Sequence, residues 1–215
     1  MQDEGYIKYR MHWTPQPAPY VAATKRLEVW RRPLFKAGLI GQYDNPPIGF
    51  GNISMRCGEA GQFLITGTQT GRVALSNEAH YALVTDYDIA GNELSCRGPV
   101  QASSEAMTHA AIYELDPAIN AVVHVHSQSL WDRYVNILPT THPDIAYGTP
   151  EMAREFARLY SESGFQSQGI AVMGGHAEGL LSIGATLALA ATRILALIQD
   201  PRDQPPLSAA ARAQK

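Results

Sequence analysis

The chain has 215 residues, of which 45% are hydrophobic, and its formal net charge is −3. A chain of this length and apolar content can bury one well-formed core, so we expect a single globular domain. The small negative charge, with no basic run, argues against a nucleic-acid partner and against an anionic membrane surface.

Three further features bear on location. Residues 1–4 are acidic and no apolar stretch follows them, so no signal peptide is evident. The longest apolar stretch, residues 179–198, is interrupted by polar side chains, which predicts a buried amphipathic helix rather than a membrane span. Cys57 and Cys96 do not form a Cys-x-x-Cys motif, which fits the reduced cytoplasm and requires no disulfide.

The first half of the chain is predicted to contain an arm, a helix and several strands. Residues 1–20 are predicted to form an extended arm, because the alternating prolines near its end forbid a helix. Apolar residues then recur at helical spacing from Val21 to about Ala37, with Gly38 as a C-cap. Short strands, separated by Gly, Asn and Pro, are predicted at residues 50–55, 63–66, 81–86 and 121–127.

The second half is predicted to be mainly helical. Helices are expected from Ser103 or Ser104 to Leu115, from Pro150 to about Ser163, and from Ala185 to Gln199. Residues 170–173 are predicted to form a buried strand. This mixture predicts one α/β domain over residues 21–199, followed by a polar, Pro/Ala-rich tail over residues 200–215.

The most distinctive motif is His124-Val125-His126, which ends an apolar run. Strand side chains alternate between faces, so both imidazoles are predicted to lie on one face while Val123 and Val125 enter the core. Two adjacent neutral imidazoles are half of a divalent-metal site. Two solvent-facing histidines on a half-buried strand are the alternative, so a metal requires further ligands.

His176 and Glu105 are the candidates for those further ligands. His176 lies in a glycine-flanked turn after a predicted buried strand, where the backbone can approach other groups closely. Glu105 follows Ser103 and Ser104 at a predicted helix start, which favours an anion. A loop histidine without a role and an ordinary helix-capping glutamate are the competing interpretations.

The remaining polar candidates are less specific. His109 lies one helical turn from Glu105 and is predicted to brace the helix or support the ligands. His12 and His80 are predicted to be solvated. Residues 66–71 contain threonines and glycines that could cradle a phosphate, although a plain turn is the competing interpretation.

Six motifs follow one another in a fixed order between about Tyr20 and Leu197. They are Gly51-Asn52-Ile53-Ser54-x-Arg56, Leu64-Ile65-Thr66, Ser103-Ser104-Glu105, His124-x-His126-Ser127, Tyr147-Gly148-Thr149-x-Glu151 and His176. In this order they resemble the class II aldolase/adducin family. The resemblance implies a single three-layer α/β/α domain with a mostly antiparallel central sheet.

The resemblance also implies a site. A divalent cation, Zn²⁺ or another such as Mn²⁺ or Co²⁺, would be bound by His124, His126 and His176. Glu105 matches the glutamate that, in aldolases of the L-fuculose-1-phosphate type, ligates the resting metal and then acts as acid/base. Four further residues match positions that bind the substrate phosphate: Asn52, Thr66, Ser103 and Ser104. Gly67, which follows Thr66 in the same loop, is the fifth predicted substrate-binding residue. An imidazole-rich ligand set favours zinc or another late transition metal over magnesium.

The chain departs from the family pattern at several positions. It reads His176-Ala177-Glu178-Gly179 where members often read His-His-Gly, and Thr66-Gly67-Thr68-Gln69 where they often read Thr-Pro-Ser/Thr-Gly. No tyrosine follows Tyr160 to match the catalytic C-terminal tyrosine. Thr141-His142-Pro143-Asp144 resembles the segment carrying the acid/base aspartate of L-ribulose-5-phosphate 4-epimerases. Asp144 is therefore the predicted second acid/base, with His142 and Tyr134 as alternatives.

Taken together, the resemblance implies a cytoplasmic lyase of the class II aldolase type, with a sugar or sugar-phosphate substrate and a metal-stabilised enediolate. It also implies a homotetramer with active sites at subunit interfaces. Three alternatives stay open: a sugar-phosphate 4-epimerase, a dehydratase of the same family, and an adducin-like scaffold without catalysis.

Overall fold

The computed structural model describes residues 5–18 and 20–199. The strands are β1 (Arg10–Pro15), β2 (Gly41–Gln42), β3 (Gly49–Phe50), β4 (Asn52–Arg56), β5 (Phe63–Thr66), β6 (Tyr81–Asp88), β7 (Glu93–Gly98), β8 (Ala121–His126), β9 (Ile170–Val172) and β10 (Gly179–Gly184). The helices are α1 (Val21–Lys36), α2 (Ala106–Leu115), α3 (Gln128–Tyr134), α4 (Pro150–Glu162), α5 (Phe165–Gln168) and α6 (Leu187–Ile198).

Eight strands form one central sheet in the order β1-β7-β6-β5-β4-β8-β10-β9. The β1–β7 pair is parallel, and the other neighbouring pairs of this sheet are antiparallel. One apolar cluster lies between the sheet and α2, α4 and α5, and a second lies between the sheet and α1, α3 and α6. The predicted α/β fold with a mostly antiparallel sheet, covered by helices on both faces, is confirmed.

The central strand β8 is buried along its whole length. Its residues alternate between the two clusters: Val122 packs on the α2 side, whereas Val123 and Val125 pack on the α1 side. This alternation follows from the two-residue repeat of a strand. His124 and His126 therefore lie on the face that α2 covers, as predicted.

Local capping signals explain several helix boundaries. The helix predicted over residues 21–37 is α1, and Gly38 follows it with a φ of 72°. Helix α4 begins at Pro150, and the Thr149 side chain accepts a hydrogen bond from the Met152 amide at 3.3 Å. These two helix predictions are confirmed.

Two predictions about the later elements are wrong. Residues 179–198 do not form one helix, because Gly179–Gly184 is strand β10 and only Leu187–Ile198 is helical. A fully buried strand has a continuous apolar sequence, which cannot be distinguished from a buried helix by periodicity. The helix predicted from Ser103 or Ser104 begins at Ala106, because the serines form a turn that precedes it.

The structure describes most of the predicted N-terminal arm but not the predicted C-terminal tail. Within the predicted N-terminal arm, Arg10–Pro15 is strand β1 at the sheet edge, which agrees with an extended conformation. The predicted tail, residues 200–215, lies outside the described residues. In the described ranges, no helix combines the length and the apolar character that crossing a bilayer requires.

Packing against the sheet predicts a measurable stability difference. Leu27 on α1 is 0% exposed, whereas Leu75 is 66% exposed. We expect Leu27→Ala to lower the free energy of unfolding by about 2–5 kcal/mol, because it leaves a cavity in the core. Leu75→Ala, the same deletion at the surface, should change it by less than about 0.5 kcal/mol. Urea unfolding followed by circular dichroism measures both, and equal losses would contradict the packing described.

Candidate metal centre

Three buried histidines converge on the face of the sheet that α2 covers. The Nε2 atoms of His124 and His126 are 3.0 Å apart, and those of His126 and His176 are 3.1 Å apart. Their candidate ligand atoms all lie within 4.8 Å of one another. None of the three residues is more than 5% exposed, so the competing interpretation of two solvent-facing histidines is wrong.

Strand pairing brings His176 to the other two. It lies in the turn between β9 and β10, and Gly179 at the start of β10 is paired with His126. A Cβ at Gly179 would lie 2.6 Å from Cδ2 of the His176 ring, so the ring can occupy its position only because residue 179 is glycine. A Cβ at Gly175 would lie 2.1 Å from the Ile145 carbonyl oxygen, so this turn also packs closely on a neighbouring loop.

The hydrogen-bond partners assign the tautomers of two rings. Nδ1 of His124 donates to the carbonyl oxygen of Leu180 at 3.1 Å, since a carbonyl only accepts. The Tyr43 hydroxyl donates to Oε2 of Glu178 at 2.7 Å and lies 3.0 Å from Nδ1 of His126. The Tyr43 oxygen therefore accepts from His126, and Nε2 of both rings carries a lone pair.

Burial keeps these imidazoles neutral. It lowers the pKa of His124 to about 4. Burial, followed by the charges of neighbouring histidines, lowers the pKa of His126 well below the usual value. Burial, followed by the charges of His124 and Lys8, lowers the pKa of His176 in the same way. At neutral pH, lone pairs on His124 and His126 therefore face each other at 3.0 Å. That arrangement is repulsive unless a cation lies between them.

The donor set fits a divalent transition metal. Nitrogens coordinated tetrahedrally to one zinc ion at 2.0–2.1 Å are about 3.3 Å apart, close to the two Nε2 separations observed. Imidazole nitrogens suit zinc and other late first-row metals. The three rings are therefore chemically able to hold one such ion.

Glu105 lies beside this cluster. Its Oε1 is 3.5 Å from Nε2 of His176 and 3.9 Å from Nε2 of His124, and the residue is 2% exposed. It occupies the N-cap position of α2, but its side chain makes no capping hydrogen bond. Its carboxylate therefore faces the histidine cluster rather than capping the helix, and it can act as a fourth ligand or as an acid/base.

A small polar cavity of about 20 Å³ is lined by Ser103 and Ser104, the two residues that precede Glu105 in the chain. Four of the five residues predicted to bind the substrate line it: Asn52, Gly67, Ser103 and Ser104. Oδ1 of Asn52 is buried and has no hydrogen-bond partner among the described residues. The fifth residue, Thr66, belongs to the supporting wall, because its hydroxyl accepts from the Ile53 amide at 3.2 Å.

Gln69 is one of the residues that line this cavity. Its φ is 57°, and its Oε1 accepts a hydrogen bond from the Gly49 amide at 3.0 Å. A cavity of about 20 Å³ holds roughly one water molecule. A phosphate is larger than this, so it enters only if the lining residues move.

The predicted second acid/base residues lie in different environments. The Asp144 side chain is 88% exposed, and its carboxylate is 3.7 Å from Nδ1 of His142, which is also exposed. Tyr134 is buried at the end of α3. The role of Asp144 stays a prediction.

The other histidines have the surroundings expected of them. His109 is fully buried on α2, and its Nδ1 is 2.7 Å from the Ser54 hydroxyl. It braces α2 against β4, as predicted. His12 is exposed beside Glu93, and His80 is half-buried and caps the short turn at residues 78–80.

The sequence analysis assigns no role at the site to four residues near the cluster: Lys8, Tyr43, Tyr147 and Glu178. The Tyr147 ring lies 4.5 Å from the His176 ring, and Nζ of Lys8 lies 3.9 Å from the centre of the Tyr147 ring. Next to Lys8, the Tyr9 hydroxyl donates to the Ser103 carbonyl at 2.7 Å. Two of the four residues carry a signal in the sequence: Tyr147 opens one of the six motifs, and Glu178 stands where the chain departs from the family pattern. Lys8 and Tyr43 carry none.

Residues 39–131, which include Glu105, His124 and His126, match the family described as Class II Aldolase and Adducin N-terminal domain. This part of the chain is therefore similar to that family, and the match spans less than half of the 215 residues. No curated protein matches it.

Several solved structures share the fold of this chain. A sugar-phosphate aldolase from Thermotoga maritima superposes with a TM-score of 0.63 and 19% identity, covering 84% of this chain and 93% of that one. An L-fuculose 1-phosphate aldolase superposes with a TM-score of 0.62 and 17% identity, covering 85% of each chain. YgbL from Escherichia coli, described as a putative aldolase/epimerase/decarboxylase, superposes with a TM-score of 0.61 and 18% identity. The superposition covers 83% of this chain and 86% of that one.

Proposed function

We propose that this protein is a divalent-metal-dependent class II aldolase that cleaves or forms a carbon–carbon bond in a ketose or sugar phosphate. One observation carries the proposal: three buried, neutral imidazoles meet with the Glu105 carboxylate 3.5 Å from the nearest ring nitrogen. The sugar-phosphate aldolase among its structural neighbours supports the substrate class.

Each side chain has a distinct task in this reaction. A divalent cation on the three imidazoles would supply Lewis-acid stabilisation of the negative charge that develops on the substrate oxygens. Glu105 removes a proton from the carbon next to the donor carbonyl in synthesis, and returns that proton in cleavage. Asn52, Ser103 and Ser104 hold the polar end of the substrate, which restricts the motion of the reacting carbons.

Proton transfer at the remote hydroxyl requires a second acid/base, and we propose Asp144. Because its side chain is 88% exposed, substrate or a neighbouring subunit would have to cover it during the reaction. A homotetramer with sites at subunit contacts meets this requirement. Zinc as the native ion and a cytoplasmic location complete the proposal, supported by the imidazole donors and the two free cysteines.

The proposal is tested by metal analysis followed by product identification. Freshly purified protein should contain about one divalent transition metal per chain. Zinc-loaded protein should then convert one of a panel of ketose phosphates, ketoses or pyruvate-type donors, with products identified by mass spectrometry. Two carbonyl fragments indicate an aldolase, whereas an epimer, a dehydrated product or released carbon dioxide would overturn the aldolase assignment. Protein that binds no metal would favour an adducin-like scaffold.

A further inference from the structure

One of the three rings is held by a chain of side chains rather than by the backbone. Nδ1 of His126 donates to the Tyr43 hydroxyl at 3.0 Å, and that hydroxyl donates to Oε2 of Glu178 at 2.7 Å. In contrast, Nδ1 of His124 donates to the backbone carbonyl of Leu180. A carboxylate therefore supports His126 through one intervening hydroxyl.

The backbone at Glu178 is unusual. Its φ is 67°, a left-handed conformation that glycine adopts without strain and glutamate rarely adopts. Main-chain hydrogen bonds hold the turn independently of the side chain. The Ser127 amide donates to the Glu178 carbonyl at 2.9 Å, and the Met173 amide donates to the Gly179 carbonyl at 2.9 Å. The turn would form with glycine at position 178 and without strain. Because a strained glutamate is present instead, we infer that its carboxylate has a function.

Tyr43 is also fixed independently. It follows strand β2, and the β2–β3 pairing places Phe50 beside it, with the two ring centres 4.6 Å apart. The Phe50 ring in turn lies 5.5 Å from the His126 ring. The Tyr43 hydroxyl is therefore positioned by packing, and its hydrogen bonds need little further ordering.

We propose that Glu178, acting through Tyr43, positions His126 and raises the affinity of the three-histidine site for a divalent cation. The inference rests on the proposed metal centre and assigns positioning residues to it. The hydrogen bond to Nδ1 fixes the tautomer in which Nε2 carries the lone pair. The negative charge behind it makes that nitrogen a stronger donor to a cation.

Three variants test the proposal: Tyr43→Phe, Glu178→Gln and Glu178→Gly. Zn²⁺ and Co²⁺ affinity is measured by competition with a chelator, the Co²⁺ absorption spectrum reports the ligand geometry, and thermal melting of metal-free protein reports stability. We expect Tyr43→Phe and Glu178→Gly to weaken binding about 10- to 100-fold, the range for loss of such a partner. Glu178→Gln keeps a hydrogen-bond acceptor but loses the charge. Its affinity for the cation should therefore lie between that of the other two variants and that of the unaltered protein.

Glu178→Gly separates positioning from a structural role. Glycine relieves the backbone strain, so the metal-free variant should melt no lower than the unaltered protein while its cation affinity falls. Asn136→Gly is the matched control, because Asn136 is exposed and also has a positive φ of 61°. It should leave cation affinity unchanged.

Two results would overturn the inference, and they are distinguishable. If the unaltered protein binds the cation and all three variants bind it within twofold, Glu178 and Tyr43 do not position His126. If the unaltered protein binds neither Zn²⁺ nor Co²⁺, the metal centre itself fails and the inference fails with it.

Discussion

His176→Ala is expected to remove the bound divalent cation and abolish carbon–carbon bond cleavage. The ring supplies one of the three nitrogens at the site, and its Nε2 is 3.1 Å from that of His126. Loss of a ligand should weaken zinc binding by more than the ~10²-fold that loss of a supporting partner costs. Elemental analysis after dialysis and isothermal titration with Zn²⁺ measure the effect.

The control for this variant is His12→Ala. His12 is exposed on β1, so its replacement should leave both metal content and activity unchanged. Folding of both variants is checked by circular dichroism. If His176→Ala retains stoichiometric zinc with unaltered affinity, the proposed ligand set is wrong.

Glu105→Gln is expected to keep the metal but lose catalysis. The amide preserves the size of a side chain that is 2% exposed, but it cannot accept a proton at neutral pH. General acid/base groups contribute about 10²–10⁴-fold, so kcat should fall by that factor. Steady-state kinetics on zinc-loaded protein, with the substrate found in the product screen, provides the measurement.

Glu162→Gln, the same change at an exposed position on α4, should leave kcat within about twofold. Turnover of Glu105→Gln at the unaltered rate would exclude Glu105 as the acid/base. A weakened zinc affinity together with an unaltered kcat at saturating zinc would instead make Glu105 only a ligand.

The sequence predicts the first half of the metal centre well. His124 and His126 lie in an apolar run, and the two-residue repeat of a strand places both rings on one face whatever the rest of the fold. The predicted start of α2 lies only a few residues before the observed one. Serine and glutamate are favoured both in a turn and in the first turn of a helix, so the sequence does not distinguish the two.

The second half depends on tertiary pairing that periodicity does not reveal. His176 reaches the cluster because β10 pairs with β8, and β10 was predicted as helix. Tyr43 and Glu178 are 135 positions apart along the chain, so their contact depends on the completed fold. The glycine-flanked turn made His176 a candidate, and the family resemblance indicated that it joins the pair.

The parallel edge pair β1–β7 connects the proposed metal centre to the edge of the sheet. Edge strands open at lower free energy than a buried core strand such as β8. Fraying of β1 would draw Tyr9 off the Ser103 carbonyl and Lys8 off the Tyr147 ring. The wall beside His176 would then loosen while the centre of the sheet stayed intact, so amide protection at residues 10–14 would report on access to the site.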